Sequence, residues 1–207
     1  MSAVLPPDPF EPEEATLEAG TLLYRVGNIS RSVSSFNPGH GQQKPTRFAF
    51  FNDPPVPVLY AAETEESALA ESLLHDIPLA GGILGSDDYM NKVMGRLLIT
   101  RDVRLASLRG LGLRKLKVTD TQVTNTDASE YGTTVAWAKA AHDAGFEGLE
   151  WTSRLCNDSR AVVLFGDRAT DAVEQDTSFG RHFLSGDGLD WLITTCLPLH
   201  VEVMPPA

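Results

Sequence analysis

Residues 36–76, "FNPGHGQQKPTRFAFFNDPPVPVLYAAETEESALAESLLHD", bring a loop arginine, a strand tyrosine and a helix carboxylate close together in sequence: Arg47, Tyr60 and Glu71. The part "TEESALAESLLHD" reads as a helix with Thr64 at its N-cap and Glu65 and Glu66 in the first turn, where carboxylates favour the helix dipole. On that helix Glu71 lies one turn from Ser67, Ala68, Leu74 and His75, at the margin of the apolar stripe, where a carboxylate can face a cleft. Helix position alone favours the plainer outcome, a solvated Glu71 paired with His75. Tyr60 belongs to the alternating run "PVPVLYAAE", with Val58 and Ala62 on the same face, which fits a core residue with its hydroxyl at the surface. Arg47 by itself reads as a surface charge.

Other sites are excluded by what is missing. There is no GxGxxG after a strand, no GxxxxGK[ST], no GxSxG and no HExxH, so the chain is not an ordinary dehydrogenase, kinase or lipase. The five histidines, His40, His75, His142, His182 and His200, never fall one helical turn apart, and Cys156 and Cys196 form no CxxC pair; no metal site and no disulfide framework is expected.

The elements that must position these residues are legible as periodic runs. "GTLLYRV" is a β-like run followed by a long Ser/Asn/Gly/Pro-rich loop over residues 27–46, a length that in a compact domain marks a functional or mobile segment. "GRLLIT", "DVRLASL", "FEGLEW" and "RAVVLFG" read as strands. "TTVAWAKAAHDAG" reads as an Ala-rich helix that Gly145 ends, and "LDWLITTC" as a short helix before Pro198. Strands and helices mixed without strict βαβ alternation indicate an α+β fold. At 207 residues, 42% apolar and 22% charged, the chain suits one globular domain with a proper core. Residues 1–19, rich in Pro and Glu, read as a flexible solvated arm, and residues 20–207 as the domain. A net charge of −11 argues against sequence-blind binding to nucleic acid or anionic lipid. With no signal-like start and no apolar stretch long enough to span a bilayer, a cytoplasmic protein is expected.

Taken in order, "LYRV", "FNPGHG", "TRF", "VLYAAET", "ALAES", "WTSR" and "AVVLFGDR" resemble the series that characterises the RES domain, named for an Arg, a Glu and a Ser. The resemblance runs over residues 21–168. It implies that Arg47 is the family arginine, Glu71 the glutamate and Ser153 the serine, with Tyr60 the accompanying tyrosine and Arg25 a second arginine of the pocket. Thr46 departs from the pattern, standing where a Gly commonly precedes the arginine. The resemblance further implies an ADP-ribosyltransferase-like split β-sheet flanked by helices. It implies a toxin of a toxin–antitoxin system that depletes NAD⁺ by hydrolysis or phosphorolysis, with inorganic phosphate as a candidate co-substrate, and a cognate Xre-like antitoxin as partner.

The residue types suit that chemistry. Cleaving the nicotinamide–ribose bond generates an oxocarbenium-like ribose, so the site needs negative charge near the sugar and positive charge at the diphosphate. Glu71 would supply the first, and Arg47, helped by Arg25, the second through its fork of donors. Tyr60 would orient the nicotinamide ring and the Ser153 hydroxyl would bind the ribose or carboxamide. Ser153 is not assigned as a nucleophile, because no histidine is placed to activate it. Arg154 is as well read as a loop salt bridge as a recruiter of phosphate. Two alternatives stay open: a mono-ADP-ribosyltransferase using the same pocket, and a binding module without catalysis.

Overall fold

Short apolar runs, rich in branched residues and buried on both faces, build the central strands of one large sheet. The structure is a computed structural model that describes residues 2–39 and 46–206. The strands are β1 (Glu13–Leu17), β2 (Leu22–Asn28), β3 (Val58–Ala62), β4 (Gly82–Leu84), β5 (Lys92–Ile99), β6 (Val103–Leu108), β7 (Gly148–Thr152), β8 (Arg160–Phe165), β9 (Val173–His182) and β10 (Val201–Val203). The helices are α1 (Glu65–Ala70), α2 (Ser86–Tyr89), α3 (Leu111–Lys115), α4 (Asp120–Val123), α5 (Tyr131–Asp143), α6 (Gly166–Ala169) and α7 (Gly186–Cys196). His40 and Gly41, which end the "FNPGHG" element, lie outside the described residues, as do residues 42–45 of the long loop.

The main sheet has the open order β1-β6-β7-β8-β3-β2-β5-β9, and β4 pairs with β10 in a separate ribbon. Within the main sheet only β6 and β7 run parallel, which requires a crossover, and the intervening chain supplies it with α3, α4 and α5. The fold is thus a single α+β domain with helices flanking a mixed sheet, as expected. Its split lies between β2 and β3. Those strands share one register pair, Tyr24 with Ala62, whereas β2 pairs with β5 along its whole length and β3 does the same with β8. The two halves of the sheet therefore meet at one point and diverge beyond it.

Three apolar clusters hold the layers. Trp137 of α5, fully buried, packs with Phe48, Trp151 and Phe165 on one face, while Leu23, Leu59, Leu97 and Leu105 fill the other. A third cluster seats α1 and α7 through Leu69, Met94, Phe183 and Leu192.

Two expectations are corrected. The free arm expected over residues 1–19 is not found among its described residues, 2–19: Glu13–Leu17 form β1, antiparallel to β6, and Leu17 is fully buried. Ahead of the strand, the Val4 carbonyl accepts a hydrogen bond from Trp137 Nε1 at 2.7 Å, and Phe10 meets the Trp137 ring edge-on at 6.0 Å. The glutamates that suggest disorder lie exposed along this edge segment, where charge protects an open strand from further pairing, while Pro12 is buried. The apolar residues between them, Val4, Phe10 and Leu17, are what the core takes. The helix expected over residues 65–76 also ends early, at Ala70. Ser72 Oγ bonds back to the carbonyls of Ala68 and Leu69, at 2.5 and 3.2 Å, and such side-chain competition for carbonyls favours turns over continued helix.

Candidate active site

Where β2 and β3 part, a cleft of about 560 Å³ opens, walled by Tyr24 and Arg25 on one side, Tyr60 and Ala61 on the other, and closed by the end of α1 and the start of α5. Thr64 caps α1 as expected, accepting the Ser67 N–H at 3.1 Å, and Glu71 stands at the C-terminal cap. The Glu71 carboxylate lines the cleft and accepts the Ser153 hydroxyl at 2.6 Å. Ser153 is fully buried. Its Oγ also lies 3.3 and 3.2 Å from the N–H groups of Leu155 and Cys156, which donate to it, so its single proton is left for Glu71. The solvated Glu71–His75 pair that helix position favours is not formed.

Arg47 is buried in the loop before β3, with 6% of its surface exposed. Its Nη1 donates to the Thr126 carbonyl and hydroxyl at 3.0 and 2.6 Å, its guanidinium lies over the Tyr131 ring at 5.2 Å, and its own carbonyl accepts the Thr134 hydroxyl. Burial pulls its pKa down while Tyr131 and Glu71 oppose that shift, and an arginine remains charged throughout. One edge of the fork is thus fastened, and no hydrogen bond among the described residues uses Nε or Nη2. Tyr60 steadies the same loop. Its hydroxyl accepts the Phe48 N–H and contacts Thr46 Oγ1, both at 3.0 Å, and burial pushes its pKa up to about 12. Thr46, the departure from the family pattern, therefore provides a partner for Tyr60. Arg25 lines the cleft while its Nη1 bridges the carbonyls of Val33 and Ser35, each at 2.7 Å; burial lowers its pKa to about 10.

Arg25, Arg47, Tyr60 and Glu71 thus share one cleft. Ser153 is not among the residues that line the cleft: fully buried, it donates to Glu71 from behind. Sequence reasoning missed Thr126, Tyr131 and Trp151, of which Tyr131 and Trp151 also line the cleft. Tyr131 stands just ahead of the recognisable helix and Trp151 reads as one more strand aromatic, so neither carries a signal of its own. Among the described residues no group of three or more His, Cys, Asp or Glu side chains is arranged to hold a metal, and no helix is long and apolar enough to cross a membrane.

Comparison with known proteins identifies the family and the fold. No curated protein matches the sequence. The fold resembles a chain of the crystal structure of the M. tuberculosis MbcT–MbcA toxin–antitoxin complex, at 13% sequence identity and a TM-score of 0.53, over 80% of this chain and 85% of that one. The family model described as the RES domain matches residues 22–184, which include Arg25, Arg47, Tyr60, Glu71 and Ser153 and span most of the chain. The chain belongs to the RES-domain family.

Proposed function

We propose that this protein is the toxin of a toxin–antitoxin pair and depletes NAD⁺ by breaking its nicotinamide–ribose bond. The observation that carries the reading is the opposition, in one cleft, of a carboxylate fixed from behind by Ser153 and an arginine with one edge of its fork uncommitted. Bond cleavage sends the electron pair to the nicotinamide nitrogen, which leaves neutral, while positive charge spreads over C1″ and the ring oxygen of the ribose. Glu71 stabilises that charge; held by a buried hydroxyl, it needs little reorganisation as the charge develops. The Nε and Nη2 edge of Arg47 grips the diphosphate, with Arg25 beside it. Tyr60 turns its ring to the nicotinamide while its hydroxyl keeps the Arg47 loop in place. Ser153 acts through Glu71 as a positioning residue. Water or inorganic phosphate then attacks C1″, giving ADP-ribose or its 1″-phosphate.

Family membership and the likeness to a chain of a toxin–antitoxin complex support a protein antitoxin as partner; in this reading that antitoxin is Xre-like and the site of action is the cytoplasm. Glu71→Gln keeps the size of the side chain and removes its charge. Nicotinamide release should fall by a factor of about a hundred or more, the scale of losing one preorganised electrostatic contact to the transition state. Normal turnover by that variant would remove Glu71 from the mechanism.

A further inference from the structure

Among the polar residues of the cleft with no part in the steps above are His75, Asp76 and Tyr131. The chain leaving Glu71 is anchored by Leu74, which is buried, and by the Leu73 and Leu74 N–H groups on the Leu69 carbonyl at 2.9 and 3.3 Å. That anchoring turns His75 across the cleft, where its Nε2 lies 3.1 Å from the Tyr131 hydroxyl; its Nδ1 lies 2.9 Å from Asp76 Oδ1. A carboxylate on Nδ1 selects the tautomer with the proton there, so Nε2 accepts the Tyr131 O–H. Tyr131, 7% exposed, is the ring on which the Arg47 guanidinium lies. Thr134 on the same helix also ties the Arg47 backbone. The two walls are therefore joined by the anchored chain from Glu71 to His75, by the His75–Tyr131 hydrogen bond and by the Tyr131 ring against Arg47.

We infer that His75 is a positioning residue: by holding the Tyr131 hydroxyl it fixes the ring beneath Arg47 and sets the span between the carboxylate wall and the arginine wall. The inference takes NAD⁺ as the ligand that bridges those walls, and so rests on the proposed function. Asp76 is almost wholly exposed, at 97% of its side chain, so its contribution is to bias the tautomer and its loss costs little.

Steady-state kinetics on His75→Leu, His75→Gln and Tyr131→Phe test this, with thermal unfolding as a check on folding. Loss of one neutral hydrogen bond at a substrate-gripping wall corresponds to about a five- to tenfold rise in KM for NAD⁺. His75→Leu and Tyr131→Phe should show that rise with kcat within about twofold of the wild type, and His75→Gln, which keeps a hydrogen-bonding amide, should recover most of it. Unchanged KM in His75→Leu, a loss confined to kcat, or a glutamine variant no better than leucine would overturn the inference. A wild type that releases no nicotinamide would instead overturn the proposed function. The bridge is then decided by the ¹⁵N resonances of the His75 ring: Tyr131→Phe must shift Nε2, and no shift refutes the bridge.

Discussion

Replacing Ser153 by alanine separates the two posts that this serine can hold. Its hydroxyl donates to Glu71 at 2.6 Å, a charge-assisted bond of a class worth about 1.5–3 kcal/mol, and no part of the side chain reaches solvent. If that bond holds the carboxylate where positive charge develops, its loss lowers kcat by roughly ten- to 150-fold, at 1.36 kcal/mol per factor of ten. KM for NAD⁺ should change less than about threefold, because the serine sits behind the carboxylate and not against the ligand. The substitution also strands the N–H groups of Leu155 and Cys156, at a cost of about 1–3 kcal/mol for each that stays unpaired, so a lower Tm is expected. Initial rates of nicotinamide release across a range of NAD⁺ concentrations, taken well below the measured Tm of the variant, give both parameters. A raised KM at unchanged kcat would mean that Ser153 contacts the substrate, and would refute the positioning argument.

Arg47→Lys keeps the charge but cannot hold Thr126 and a diphosphate together, so KM for NAD⁺ should rise about tenfold or more with a smaller change in kcat. Tyr60 holds its proton to about pH 12 in the folded protein, whereas the unfolded chain releases it near 10. The stability it contributes is therefore complete below pH 10 and is lost as pH rises from 10 to about 12, and urea unfolding of Tyr60→Phe should show a shallower alkaline decline than the wild type. Deleting residues 1–17 removes the buried Leu17 and the partly buried Phe10, worth about 3–4 kcal/mol together. Calorimetry should then show a Tm lower by roughly 10 °C, and an unchanged Tm would mean the segment is not docked.

The elements with strong periodicity were legible in the sequence. The short apolar runs of β3 and β8 and the Ala-rich α5 with Gly145 at its end, at φ +88°, are local signals and need no knowledge of their neighbours. β1 was hidden because an edge strand shows one apolar side only, and the segment around it is rich in Pro and Glu. β9 escaped for a similar reason: its residues between Val173 and His182 are mostly polar, and its partner β5 makes it a strand. Glu71, Arg47, Tyr60 and Arg25 could be nominated from motif order alone. Ser153 was nominated too, but its role depends on a loop that folds back over α1. Thr126, His75 and Tyr131 became visible only when the chain had brought residues 47, 75, 126 and 131 to one cleft, a long-range juxtaposition without a local pattern.

Chromatographic product analysis of purified protein incubated with NAD⁺, with and without inorganic phosphate and beside Glu71→Gln, tests the central claim most directly. The expected result is nicotinamide from the wild type, with ADP-ribose in water or its 1″-phosphate when phosphate is the acceptor, and about a hundredfold less from the variant. Intact NAD⁺ in both buffers, or equal release by Glu71→Gln, would contradict the account.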